Sequence, residues 1–156
     1  MSDLQPGDPA PDFTMAADDG RTLKLADYAG RKLVLYFYPK DDTSGCTSEA
    51  QVFTEQLAAF QAAGADVIGV SKDTVASHAK FRAKYGLGFP LGADPEGGIV
   101  EAYGAWVEKS MYGKKYMGID RSTFLIDADG RIAALWRKVK VPGHVPAILD
   151  AVQKLG

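Results

Sequence analysis

The chain has a single cysteine, Cys46, in 156 residues, so no disulfide can form within it. Basic residues are not in excess: 18 Lys and Arg against 20 Asp and Glu leave a formal charge of −2. That balance argues against a nucleic-acid-binding surface. The densest basic stretch, Arg137-Lys138-Val139-Lys140, is expected to be a solvated strand end. No apolar run approaches the ~20 residues of a membrane span. The opening stretch from Met1 to Pro9 is acidic and broken by proline, unlike a signal peptide. An unpaired thiol fits a reducing compartment, so a cytoplasmic location is expected.

Two further absences narrow the chemistry. There is no Cys-x-x-Cys for dithiol exchange, and Gly86-Leu87-Gly88 and Gly97-Gly98 do not fit a nucleotide-binding fingerprint. They read as helix ends and turns. His78 and His144 stand alone, without carboxylates or thiols at ligand spacing. They are expected on helix surfaces or ends, and no metal site is implied.

What is present suits one soluble domain over residues 1–156, with 46% apolar and 24% charged residues and no repeat or linker. Leu33 to Tyr38 is continuously apolar, as a central strand covered on both faces should be. Phe53, Leu57 and Phe60 fall at i, i+4, i+7 and predict a buried helical face that Gly64 ends. Ala65 to Val70 predicts a second buried strand. Ser71 to Thr74 supply caps for a helix through Phe81 and Tyr85, stopped at Gly86.

Asp94-Pro95-Glu96 is expected to begin a short helix toward Tyr103. Thr123–Asp127 and Arg131–Trp136 flank Ala128-Asp129-Gly130 and predict a hairpin. Val145, Ile148, Leu149, Val152 and Leu155 give a closing amphipathic helix. Asp12 to Met15 and Arg21 to Leu25 suggest a small N-terminal β-hairpin around Asp19-Gly20. Early βα alternation followed by a hairpin describes a thioredoxin-like α/β three-layer sandwich, a central mixed sheet with helices on both faces.

Cys46 sits where the first strand hands over to the first long helix, in Pro39-Lys40-Asp41-Asp42-Thr43-Ser44-Gly45-Cys46-Thr47. The reactive form of a cysteine is the thiolate, and a first helical turn favours it through unpaired N–H groups and the helix dipole. Thr43, three residues earlier, can bring its hydroxyl beside the sulfur. Pro39 fixes the chain as it leaves the strand and can wall the thiol off from water. A lone cysteine is most often an inert buried filler. The polar Asp-Asp-Thr-Ser run and the flanking Gly45 and Thr47 point away from that.

The segment from Phe37 to Ala50 resembles the active-site signature of peroxiredoxins, Pro-x-x-x-Thr/Ser-x-x-Cys. More narrowly it is similar to the bacterioferritin comigratory protein (PrxQ) subfamily. Met111 to Lys114, Gly118 to Asp127 and the opening Gly7 to Phe13 extend the likeness over nearly the whole chain. The resemblance implies that Cys46 is the peroxidatic nucleophile and that Pro39, Thr43 and Arg121 complete its pocket, with no cofactor. In that arrangement Arg121 stabilises the thiolate and the departing oxygen. Thr43 and the Cys46 N–H hold the peroxide in line, and Gly45 lets backbone approach the bound oxygens. Glu49 reads either as an orienting group or as a solvated first-turn acid.

Many members of that subfamily carry a resolving cysteine five residues after the nucleophile, where this chain has Gln51, or in the next helix around Ser77 to Arg82. Neither position holds one here, and Ser44 stands where proline is common. The resemblance therefore implies a one-cysteine peroxidase acting on hydrogen peroxide and organic hydroperoxides. Its sulfenic acid would be reduced by an external thiol such as thioredoxin, glutaredoxin or glutathione, or oxidised further without one. The alternative use of the same thiol is a non-enzymatic redox sensor that forms mixed disulfides. A monomer is expected, with Tyr103, Trp106, Val107, Met111 and Tyr112 forming an apolar collar near the pocket or a weak dimer contact.

Overall fold

Leu33 to Tyr38 is apolar at every position because both sides of its strand are covered. In the computed structural model, which describes residues 4–155, Leu33, Leu35 and Phe37 pack with Phe13, Val100, Tyr103 and Phe124 on one side. Val34, Tyr36 and Tyr38 pack with Phe53, Phe60, Phe81 and Ile148 on the other. Alternate residues of a strand point to opposite faces, so a run without polar breaks needs cover on both.

That strand, β3 (Lys32–Phe37), lies inside a seven-stranded mixed sheet of order β2-β1-β5-β4-β3-β8-β9. The others are β1 (Thr14–Ala17), β2 (Thr22–Lys24), β4 (Ala65–Ser71), β5 (Leu91–Ala93), β8 (Ser122–Ile126) and β9 (Ile132–Trp136). β3, β4 and β5 are parallel, and β8 and β9 add antiparallel strands. This is the thioredoxin-like mixed α/β arrangement the alternation predicts. The N-terminal hairpin, β1 with β2, forms as anticipated but also joins the main sheet, because β1 pairs with β5.

The described residues hold four α-helices, α1 (Ser44–Ala62), α2 (Val75–Tyr85), α3 (Gly98–Ala102) and α4 (His144–Lys154), and a short 3-10 helix at Leu25–Tyr28. The α2 start is capped by Thr74, whose hydroxyl accepts the Ser77 N–H at 3.1 Å. Its end is Gly86 at φ 62, a left-handed conformation that glycine adopts without steric cost. The third helix starts later than expected. Asp94 to Glu96 form a turn, Gly97 takes φ 82, and the Asp94 carboxylate accepts the Val100 N–H at 2.8 Å.

Two elements were not anticipated from sequence. β5 spans three residues with Gly92 at its centre, too short to show a period. β6 (Trp106–Met111) and β7 (Lys114–Ile119) form a separate two-stranded hairpin. Tyr112 (φ 51) and Gly113 (φ 79) both take positive φ between the paired Met111 and Lys114, as a type I′ turn requires. Among the described residues, no helix is long and apolar enough to cross a membrane.

Candidate active site

Cys46 is the third residue of α1, directly after the loop that leaves β3. Thr43 is the residue before the helix, and its carbonyl accepts the Thr47 N–H at 2.8 Å. The preceding N–H groups of the first turn have no partner within the helix. They give the sulfur a positive local environment. Its side chain is only 1% exposed, at the end of the sheet where β3 finishes.

Arg121 arrives from the far part of the chain, between β7 and β8. Its Nη2 donates toward Cys46 Sγ at 3.3 Å, and its Nη1 donates to Glu49 Oε1 at 2.6 Å. Burial opposes the arginine's charge, but the Glu49 carboxylate and the Cys46 sulfur outweigh it and hold the guanidinium protonated. Glu49 is fully buried one turn after Cys46, so the solvated alternative is excluded. Burial pushes its carboxyl up to about 7 against the opposing pull of Arg121. Its second oxygen has no hydrogen-bond partner among the described residues.

The other expected site residues divide. Gly45 stands against the arginine: a Cβ there would lie 3.3 Å from Arg121 Nη2 and 3.9 Å from Val141 Cγ2. The Thr43 hydroxyl is exposed and donates to the Lys40 carbonyl at 2.9 Å, closing the loop on itself. Pro39 is exposed at the start of the same loop. Cys46, Gly45 and Arg121 are thus brought together directly, while Thr43 and Pro39 shape the backbone leading in.

Several polar residues were misjudged or missed. His78 and His144 were expected on helix surfaces or ends, yet both are buried. His144 does begin α4, but it faces inward, where Thr123 Oγ1 and its Nε2 are 2.8 Å apart. Burial first, and the charge of Arg121 second, bring its pKa down to about 4, so it stays neutral. Tyr36 is stacked on Phe53 at 4.5 Å between centroids. Its buried hydroxyl lacks a partner among the described residues, and burial followed by Glu49 and Cys46 keeps it from ionising. Arg137 is not solvated either: it donates to the carbonyls of Gly104 and Tyr103, each at 3.2 Å. One signal for Glu49 was available, since i and i+3 share a helical face.

A buried thiol at a helix start beside a partly buried guanidinium, on a thioredoxin-like sheet, defines a protein of the thioredoxin-fold thiol class. The chain belongs to the AhpC/TSA family, whose profile matches residues 6–135, and within it to the Bcp/PrxQ peroxiredoxins. It is 47% identical to peroxiredoxin Bcp of Bacillus subtilis over 97% of both chains. It superposes on Xanthomonas campestris peroxiredoxin Q with a TM-score of 0.91, at 43% identity over 99% of each chain. A second X. campestris structure has a TM-score of 0.87 at 45% identity over 90% of each chain. That one is the bacterioferritin comigratory protein in trapped intermediate/ligand complexes, with alkyl peroxide reduction activity.

Proposed function

We propose that this chain is a thiol-dependent peroxidase that reduces hydrogen peroxide and organic hydroperoxides through Cys46. The observation that carries the reading is the 3.3 Å approach of Arg121 Nη2 to Cys46 Sγ. The Cys46 thiolate attacks the terminal peroxide oxygen, an S–O bond forms and the O–O bond breaks. The departing hydroxide or alkoxide takes a proton from solvent and leaves as water or alcohol. Sulfur is oxidised to sulfenic acid and the peroxide is reduced. Negative charge passes from sulfur to the leaving oxygen, and a fixed guanidinium beside both stabilises that shift without reorganising. The peroxide is held in line by the Cys46 N–H and the Thr43 side of the loop, with Gly45 leaving room for its oxygens.

With one cysteine in the chain, the sulfenic acid is resolved from outside. A thiol attacks the oxidised sulfur and releases water, giving a mixed disulfide, and a second thiol displaces the Cys46 thiolate. Thioredoxin, glutaredoxin and glutathione supply that chemistry. An unpaired thiol is in keeping with a reducing compartment, and we place the protein in the cytoplasm as a monomer.

Stopped-flow oxidation by hydrogen peroxide and by a bulky hydroperoxide, followed by turnover with each thiol donor, tests the reading. Cys46→Ser should lose peroxide consumption while keeping the wild-type circular dichroism spectrum. Consumption by that variant at the wild-type rate would refute the assignment, and oxidation of wild type without turnover by any thiol donor would favour a sensor.

A further inference from the structure

We propose that Asp41 and His78 form a buried latch that fixes the active-site loop, residues 39–43, against α2, which makes His78 a positioning residue for the reaction at Cys46. The inference rests on the peroxidase reading above. It arises from a buried polar network that the chemistry at Cys46 does not itself use.

His78 is fully buried and Asp41 is 8% exposed. His78 Nε2 lies 3.0 Å from the Gly92 carbonyl and Nδ1 lies 2.7 Å from Asp41 Oδ2. A carbonyl only accepts, so Nε2 carries a hydrogen and donates it. The Nδ1 contact then holds one further proton, shared by an imidazolium with a carboxylate or by an imidazole with a carboxylic acid. The pair is neutral overall in either form. Tyr38 donates its hydroxyl to Asp41 Oδ1 at 2.5 Å, and Ser77 donates to Oδ2 at 2.8 Å. The Asp41 backbone N–H donates to Asp73 Oδ2 at 2.8 Å, which also accepts the Ser71 hydroxyl at 2.6 Å.

Facing atoms of Asp41, Asp73 and His78 lie within 4.8 Å of one another, but each already has a protein partner. The cluster is a hydrogen-bonded network.

Its position gives it a role. Asp41 belongs to the loop, and its partners are Tyr38 just past β3, Asp73 between β4 and α2, and Ser77 and His78 in the first turn of α2. The next residue, Asp42, at φ 59, is also tied to α2, by Lys84 Nζ at 2.8 Å and the Tyr85 hydroxyl at 2.6 Å. Those bonds are exposed and hold little. The Asp41 bonds to Tyr38 and His78 are buried, so losing either partner leaves a polar group unmatched inside the protein. The loop would then turn toward water, and the turn carrying Cys46, which starts at Ser44, would lose its fixed entry. Arg121 comes from a different part of the chain, between β7 and β8, so displacement of this turn opens the 3.3 Å Cys46–Arg121 contact.

The test compares Asp41→Ala, Asp41→Asn and His78→Phe with wild type. The readout is the rate constant of Cys46 oxidation by hydrogen peroxide per folded molecule. Asparagine can donate to a neutral His78 Nδ1 while accepting from Tyr38, so Asp41→Asn should stay within about threefold of wild type. Asp41→Ala and His78→Phe should fall by about tenfold or more, since small misplacements of reacting groups carry losses of that order. A folded His78→Phe reacting at the wild-type rate overturns the latch. So does an Asp41→Asn protein as slow as Asp41→Ala. If His78→Phe does not fold, the two Asp41 variants decide alone. Wild type that fails to consume peroxide would instead refute the peroxidase reading.

Discussion

Arg121 and Cys46 are 75 positions apart in the sequence and 3.3 Å apart in space, joined through one guanidinium nitrogen while the other holds Glu49. The arginine thus has two duties. It faces the sulfur, and it compensates a carboxylate that has no other bonding partner among the described residues.

Replacing Arg121 should expose both duties at once. Arg121→Ala is expected to slow Cys46 oxidation about 10²-fold, since one preorganised donor is typically worth about 3 kcal/mol in the transition state. It should also lower stability, because Glu49 is left buried and unpaired. Arg121→Lys should recover only part of the rate, as an ammonium cannot present two fixed nitrogens to Glu49 and Cys46. Stopped-flow oxidation and urea unfolding of both variants check this, and a wild-type rate for Arg121→Ala would remove the residue from the site.

Glu49 and His144 make opposite demands on pH. The Glu49 carboxyl is raised from 4.5 to about 7, so between those values the folded state keeps a proton that the unfolded state has lost. Its contribution to stability therefore falls as pH rises through that window. The His144 pKa is lowered from 6.5 to about 4, so there the unfolded state binds the extra proton. Its contribution is present at high pH and is lost as pH falls from 6.5 toward 4. At about 1.36 kcal/mol per pH unit each amounts to roughly 3 kcal/mol, and the two nearly cancel where they overlap. Glu49→Gln should unmask stability that increases with pH, and His144→Gln stability that decreases with it. Urea unfolding from pH 4.5 to 6.5 reads both slopes, and parallel slopes in the two variants would contradict the assignment.

Tyr36 carries a buried hydroxyl without a hydrogen-bond partner among the described residues. Removing such a group should relieve a desolvation cost, so Tyr36→Phe is expected to stabilise the fold by about 1 kcal/mol. A lower urea midpoint in the variant would be the opposite result.

Gly69 pairs with Tyr36 across β3 and β4, and a Cβ there would come within 2.8 Å of Tyr36 Cζ. Gly69→Ala should therefore lose about 1–3 kcal/mol through overpacking, seen as a drop in melting temperature. An unchanged melting temperature would mean that the ring can move aside.

The elements legible in sequence were those with an unbroken local pattern. β3 and β4 are apolar at nearly every position, α2 carries its own cap and stop, and the β8–β9 hairpin surrounds Asp129-Gly130. The β6–β7 hairpin was opaque because Met111, Tyr112 and Met117 are exposed at 57%, 99% and 51%, while lysines interrupt the alternation. Its Tyr112-Gly113 turn was the one local clue. The two histidines were misplaced for a related reason. Burial of a polar side chain depends on the partners waiting for it, here Asp41 and Gly92 for His78 and Thr123 for His144.

The sequence by itself settled that the chain has one thiol, that this thiol opens a helix, and that no second cysteine of the chain can pair with it. These follow from residue identity and from forces acting over a few positions, such as helix periodicity, capping and the count of cysteines. Only the tertiary structure decided that Arg121 bridges Cys46 and Glu49, that Glu49 is buried, and that α2 grips the loop through Asp41 and His78. Each depends on chain segments tens of residues apart meeting in a low-dielectric interior, where the energy of a charge is set by its neighbours rather than by its own identity.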